Sequence, residues 1–286
     1  MTESKQQPLV SCEWLQGNLQ RGDVAVLDAS FFLPAEKRDP AAEYRQCHIP
    51  GARFFDIDAV ADHATALPHM LPGPSEFAEA VGKLGIGNDT LVVAYDNNRF
   101  MASARAWWMF RVFGHERVAV LDGGVQRWQA LGMPVDAADV VPEPRRFQAG
   151  FRPELVRDLA QMRRLAESGD CQLVDARSAG RFEGRDPEPR PGLKSGHIPG
   201  SRSLPFAELV DAETRLMLPL EEVRRRFGQA GIDPARPVAA TCGTGVTAAI
   251  LALALYRLGR EDVAVYDGSW SEWGALPDVP VATGAA

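Results

Sequence analysis

The residues in this chain best suited to chemistry are Cys242-Gly243-Thr244-Gly245-Val246-Thr247. A cysteine followed at once by Gly-x-Gly leaves main-chain N–H groups uncovered around the sulfur, and such a bowl stabilises an anion. The next run, Ala248 to Tyr256, is Ala- and Leu-rich and free of Pro and Gly. It closes on Arg257-Leu258-Gly259, a basic last turn with a Gly stop, which predicts a helix. Cys242 then stands just before a helix N-terminus. That setting lowers a thiol pKa and favours the thiolate, which is the nucleophile. The bland reading is an inert cysteine at the end of a core strand. It gives no reason for two glycines beside the sulfur.

The elements that must position this loop recur in order through the chain. Val24-Ala25-Val26-Leu27-Asp28 reads as a buried strand, followed by a Pro-broken loop and His48-Ile49-Pro50-Gly51-Ala52. Leu91–Asp96 is a second strand, Met101–Phe113 a helix closed by Gly114, and Val118–Asp122 a third strand running into Gly123-Gly124, with Trp128 beyond. The second half repeats these landmarks as Leu173-Val174-Asp175, His197-Ile198-Pro199-Gly200-Ser201, Val238–Cys242, the helix to Leu258-Gly259, and Val263–Asp267 with Trp273. A repeat of roughly 130 residues implies a duplicated domain. Strands alternating with helices imply an α/β unit, a parallel sheet with helices on both faces, and ligands then sit beyond the carboxyl ends of the strands. The expected division is a first domain over 1–140, a linker over 141–153 within the Pro- and charge-rich stretch from Pro134 to Pro153, and a second domain over 154–286. Superposing the halves puts Asp96 in the place of Cys242, and Asn97-Asn98-Arg99-Phe100 in the place of the Gly-rich cradle. One active site is expected, in the second half.

Composition narrows the partners. With 286 residues, 45% apolar and 24% charged, the chain suits one large or two ordinary globular domains. A net charge of −7 without any Lys/Arg run argues against nucleic acid. The stretch Met1 to Pro8 lacks the apolar core of a secretory signal, and the longest apolar run is too short to cross a bilayer. Cys12, Cys47, Cys171 and Cys242 make no C-x-x-C pair and no zinc spacing. They read as free thiols of a reducing compartment, which makes the cytoplasm the default, and no membrane partner is expected from so short an apolar run.

Three motifs together resemble the rhodanese (sulfurtransferase) family in its tandem two-domain form. They are Tyr44-x-x-x-His48-Ile49-Pro50-Gly51-Ala52, the cysteine loop, and Tyr266-Asp267-Gly268-Ser269-Trp270-x-Glu272-Trp273. The likeness runs from about Leu9 to Val281. Members that use thiosulfate carry basic residues directly after the cysteine, whereas Gly243 and Thr244 stand here. Cys-Gly-Ser/Thr-Gly-Val-Thr implies 3-mercaptopyruvate as sulfur donor, a thiol such as thioredoxin or cyanide as acceptor, and no metal or organic cofactor. By the same resemblance, Gly180-Arg181-Phe182-x-Gly184 and Glu188-Pro189-Arg190 imply that Arg181 and Arg190 hold the donor's carboxylate and keto oxygen. Phe55-Asp56-Ile57-Asp58 and His69-Met70-Leu71-Pro72-Gly73 imply Asp58 and His69 as helpers of the Thr244 hydroxyl. The family often has Ser at that position, and the hydroxyl survives the change.

The same residues make physical sense. An arginine fork matches a carboxylate in two parallel hydrogen bonds and stays charged at any working pH. Arg181 and Arg190 lie in a Pro-Gly-rich stretch longer than a turn needs. The alternative is a solvated loop whose arginines pair with Glu183, Asp186 and Glu188, which suits Arg185 best; Arg177 is a weaker third candidate. The amides of Gly243, Gly245, Val246 and Thr247 are expected to hold an anionic sulfur. His48 and His197 recur in both halves although only one half has the cysteine, so a scaffold role fits them better. His69 has no counterpart and is the better functional candidate. Three rivals stand beside this reading: a thiosulfate:cyanide sulfurtransferase, a cysteine phosphatase, and a non-enzymatic redox or interaction module. The phosphatase wants an arginine where Ala248 stands.

Overall fold

The computed structural model describes residues 7–33, 36–98 and 101–286. The described chain divides into two units. The first comprises 1–61, 72–152 and 212–217, and the second comprises 62–71, 153–211 and 218–286. Ten residues from the first half of the sequence, including His69, thus belong to the second unit.

In the first unit the strands are β1 (Leu9–Val10), β2 (Val24–Asp28), β3 (Arg53–Phe54), β4 (Leu91–Tyr95) and β5 (Val118–Leu121). They form one parallel sheet in the order β1-β5-β4-β2-β3. The helices are α1 (Cys12–Asn18), α2 (Pro40–Gln46), α3 (Pro74–Lys83), α4 (Met101–Val112) and α5 (Gly124–Ala130). Val26, Val93, Tyr95, Ala119 and Leu121 pack with Leu15 of α1 and with Val125 and Trp128 of α5. The residues between them, Ala25, Leu27, Val92, Ala94 and Val120, are buried too. Successive strand residues face opposite ways, so burial of both sets requires cover on both sides. The second cover includes α4, packed on β4 and β5. These near-continuous apolar strands are what a doubly covered parallel sheet requires.

The second unit has the same plan. Its strands are β6 (Val156–Arg157), β7 (Gln172–Asp175), β8 (Ser201–Ser203), β9 (Val238–Thr241) and β10 (Ala264–Tyr266), all parallel in the order β6-β10-β9-β7-β8. Its helices are α6 (Leu159–Ser168), α7 (Ala179–Phe182), α8 (Leu220–Gln229), α9 (Ala248–Arg257) and α10 (Ser269–Trp273). A capping box, Asp158 with Gln161, starts α6. Every residue of α9 from Ala248 to Tyr256 is buried, as an all-round apolar sequence demands.

The two conspicuous histidines brace matching turns. Nδ1 of His48 donates to the Tyr44 carbonyl and Nδ1 of His197 to the Phe182 carbonyl, both at 2.8 Å. Each ring stacks on the aromatic side chain of that same residue, at 4.4 and 3.7 Å between centroids. Among the described residues no helix is long and apolar enough to cross a membrane.

Candidate active site

Strand β9 ends at Thr241, and Cys242 is the first residue past its carboxyl end. Helix α9 begins at Ala248. Between them Gly245 takes φ +77°, a left-handed turn that a β-carbon disfavours. Two peptide groups of the loop are pinned by α10. The Trp270 N–H donates to the Cys242 carbonyl at 3.0 Å, and Ser271 donates to the Gly243 carbonyl through its N–H at 2.9 Å and its hydroxyl at 2.8 Å. In a trans peptide the C=O and the following N–H point opposite ways. The N–H groups of Gly243 and Thr244 therefore face away from α10. Neither they nor those of Val246 and Thr247 donate to a described residue. Orphan amides at the start of a helix favour an anion by about 1 kcal/mol, more where the site is partly buried. Cys242 itself is 2% exposed, while Gly243, Thr244 and Thr247 are partly exposed. Its residue is the floor of the bowl, and theirs form the rim.

Cys12 also stands at a helix start, as the first residue of α1, but without flanking glycines. Burial pushes Cys12 up to about 11 and raises Cys171, so both stay protonated, and Cys47 is half-buried. All four cysteines are free.

Arg181, on α7, comes directly to this loop. A β-carbon built on Gly243 would lie 3.2 Å from its Nη2 and 3.9 Å from its Nη1. The guanidinium occupies the room that a side chain at position 243 would take. Its own orientation is fixed by Glu188, whose carboxylate accepts from Nη2 at 2.6 Å and from Nε at 3.3 Å. Nη1 makes no hydrogen bond to a described residue. Arg190 is half-buried and forms no hydrogen bond or ion pair with a described residue. Arg185 pairs with Glu183, as a solvated arginine would. Arg177 is structural: fully buried, it joins Asp175, Glu188 and the Gly196 carbonyl, and lies 4.3 Å over the Trp270 ring.

His69 is 9% exposed and adopts φ +59°. A left-handed histidine costs on the order of 1 kcal/mol unless its surroundings hold it. Two residues on, the Leu71 N–H donates to the Asp267 carboxylate at 2.7 Å. Asp267 follows β10 and precedes α10, so the His69 segment is anchored at the same carboxyl end of the sheet as Cys242. Asp58 belongs to the first unit, where it is exposed and its N–H donates to Asp56. The Thr244 residue is partly exposed on the rim. Among the described residues no group of three or more His, Cys, Asp or Glu could hold a metal ion.

The Rhodanese-like domain model matches this chain twice, over residues 11–131 and 158–276. The chain belongs to the rhodanese family. This rhodanese is 46% identical over 299 residues to thiosulfate/3-mercaptopyruvate sulfurtransferase 1, mitochondrial, of Arabidopsis thaliana, covering 97% of this chain and 79% of the relative. It is 42% identical over 271 residues to the 3-mercaptopyruvate sulfurtransferase of Homo sapiens, covering 93% of this chain and 91% of the relative. Among solved structures it is similar to SseA from Escherichia coli, described as a 3-mercaptopyruvate sulfotransferase. The TM-score is 0.85 at 37% identity, covering 93% of this chain and 99% of that one.

Two residues that hold this rhodanese's site stand inside the family motifs, yet residue type alone assigns neither a role there. Ser269 is fully buried and sits at φ +50°; its hydroxyl accepts from the Cys242 N–H at 3.2 Å and donates to the Tyr266 carbonyl at 2.8 Å. Its signal was a serine where the first half has Gly124, at φ +58°. Glu188 looked like a surface acid, yet its side chain is 2% exposed.

Proposed function

We propose that this rhodanese is a sulfurtransferase that takes sulfur from 3-mercaptopyruvate onto Cys242 and passes it to a thiol or cyanide acceptor. The observation that carries this reading is the Arg181 guanidinium lying against Gly243 in the nucleophile's loop. A planar cation there meets a carboxylate or keto oxygen beside the sulfur. In the first half-reaction the Cys242 thiolate attacks the donor sulfur. The carbon–sulfur bond breaks, its electron pair goes to carbon as pyruvate enolate, and protonation gives pyruvate. Arg181 and Arg190 hold the enolate's negative charge. The amides of Gly243 through Thr247 hold the outer sulfur of the Cys242 persulfide. In the second half-reaction an acceptor thiolate or cyanide attacks that sulfur and regenerates the thiolate, a double displacement. His69, with Asp58 and Thr244, manages the protons of the first half-reaction. The domain over 1–140 is non-catalytic in having no nucleophile, with Asp96 in place of the cysteine, and contributes only the helpers Asp58 and His69. The domain over 154–286 carries Cys242 and the sulfur transfer. A cytoplasmic setting fits four free thiols, and a thiol acceptor such as thioredoxin follows only from the sulfurtransferase reading.

The test is pyruvate release and a one-sulfur mass gain on Cys242, with 3-mercaptopyruvate and thiosulfate as parallel donors. Pyruvate with persulfide is expected from the first donor at much the higher rate. No pyruvate and no mass gain would sink the reading. A faster reaction with thiosulfate would transfer it to the rival donor, whose name the Arabidopsis relative also carries.

A further inference from the structure

Four arginines lie between residues 177 and 190, and three are paired with carboxylates. Glu188 is the centre of this arrangement. One of its oxygens accepts from Nη1 of Arg177 at 2.8 Å, and the other accepts from Nη2 of Arg181 at 2.6 Å. Arg177 is held in turn by Asp175 at 2.6 Å, with both of those side chains fully buried. Asp175, Arg177, Glu188 and Arg181 thus form a buried chain of two anions and two cations that cancel. Arg181 sits at its solvent end, with a side chain 24% exposed. It offers the donor pocket hydrogen-bond donors in a fixed plane with its positive charge largely neutralised. Arg190, two residues along from Glu188, is the arginine of this loop with no acidic partner among the described residues. No base stands at 243 or 244 to add charge beside the cysteine.

That balance discriminates between donors by charge. At neutral pH 3-mercaptopyruvate carries one negative charge, on a planar carboxylate, and thiosulfate carries two. A guanidinium neutralised by a carboxylate attracts an incoming anion less than a bare one does, and the attraction forgone is larger for an anion of two charges than for one. Resting on the sulfurtransferase reading above, we propose that Glu188 is a specificity-determining residue. By orienting and neutralising Arg181 it favours a monoanionic 2-oxo acid donor and disfavours dianionic thiosulfate. Glu188 acts through Arg181 and is a positioning residue, without contact to the reacting atoms.

The experiment compares kcat/KM for both donors, with cyanide as acceptor at low ionic strength, in the wild-type chain, Glu188→Gln and Glu188→Asp. Glutamine keeps the shape and one acceptor but removes the charge. Glu188→Gln is expected to lose about tenfold with 3-mercaptopyruvate and to gain about tenfold with thiosulfate, since specificity here comes from withholding net charge from the dianion. Glu188→Asp keeps the charge and should hold the donor ratio within about threefold of wild type. A merely structural glutamate predicts that both donors fall together, and that outcome, or an unchanged ratio in Glu188→Gln, overturns the proposal. Should Glu188→Gln fail to fold by circular dichroism, the wild-type chain supplies the answer. Pyruvate must protect Cys242 from iodoacetamide at concentrations about tenfold below those at which sulfate does. Equal protection by the two anions overturns it. A wild-type chain inert to 3-mercaptopyruvate sinks the proposed function instead, and the two failures are distinct.

Discussion

Past the carboxyl end of β4 the first unit has Asp96, and past the carboxyl end of β9 the second has Cys242. The local frame is the same. The Asp96 carbonyl accepts from the Val125 N–H at 3.2 Å, as the Cys242 carbonyl accepts from the Trp270 N–H at 3.0 Å. What differs is who uses the amides. In the first unit the Asp96 carboxylate takes the Asn98 N–H at 2.8 Å and the N–H and hydroxyl of Ser103, while the Asn97 N–H goes to the Ser30 hydroxyl. Arg99 and Phe100, expected in this loop, lie outside the described residues. The first unit therefore fills its bowl with its own side chain. The second leaves four amides without a described acceptor around the Cys242 side chain. One backbone plan stores an internal acid in one repeat and receives an external sulfur in the other.

Several substitutions test that contrast. Cys242→Ser should lower sulfur transfer by at least about 10⁴-fold, as loss of a nucleophile does, with thermal unfolding little changed. Residual turnover within tenfold of wild type would mean that the chemistry lies elsewhere. Arg181→Lys keeps the charge but loses the fork, so kcat/KM for 3-mercaptopyruvate should fall about 100-fold. An unchanged value would remove Arg181 from the donor site. Ser269→Ala strips the acceptor from a buried N–H, which costs about 1–3 kcal/mol of stability and should slow turnover about tenfold through a looser cysteine. Ser269→Gly should recover about 1 kcal/mol of that stability by relieving the left-handed φ, without recovering the rate. If both variants turn over like wild type, the serine is packing alone.

The smallest effect concerns Asp96. Burial pushes its carboxyl up to about 6 from an ordinary 3.8, despite the hydrogen bonds that oppose the shift. The native chain keeps that proton where the unfolded chain has lost it. Asp96 thus lowers stability progressively as pH rises from about 4 to about 6, and by a constant amount above that. Asp96→Asn should flatten this part of the melting-temperature profile and leave sulfur transfer untouched. A profile that keeps its slope would place the proton on another group.

The central strands and the two major helices were legible because they are long, apolar and bounded by Gly. The predicted Leu91–Asp96, Met101–Phe113 and Val118–Asp122 each end within a residue of β4, α4 and β5. The edge strands β1, β3 and β6 were not, since two residues carry no periodicity. The cysteine loop was legible because a nucleophile at a helix start needs glycine locally. Glu188 and Ser269 were not, because their meaning comes from partners far along the chain and from a φ that residue type alone conceals. His69 showed only its singularity. Its segment belongs to the second unit, where the Leu71 N–H meets the Asp267 carboxylate 196 positions along the chain.

Helix α9 is encased along nearly its whole length, and the sulfur loop hangs directly from its first turn. Segments wrapped in this way exchange their amide protons last, when the unit opens globally rather than frays. Heat or denaturant should therefore silence this cysteine only at the melting of the whole unit, and reactive sulfur is kept out of partly opened states.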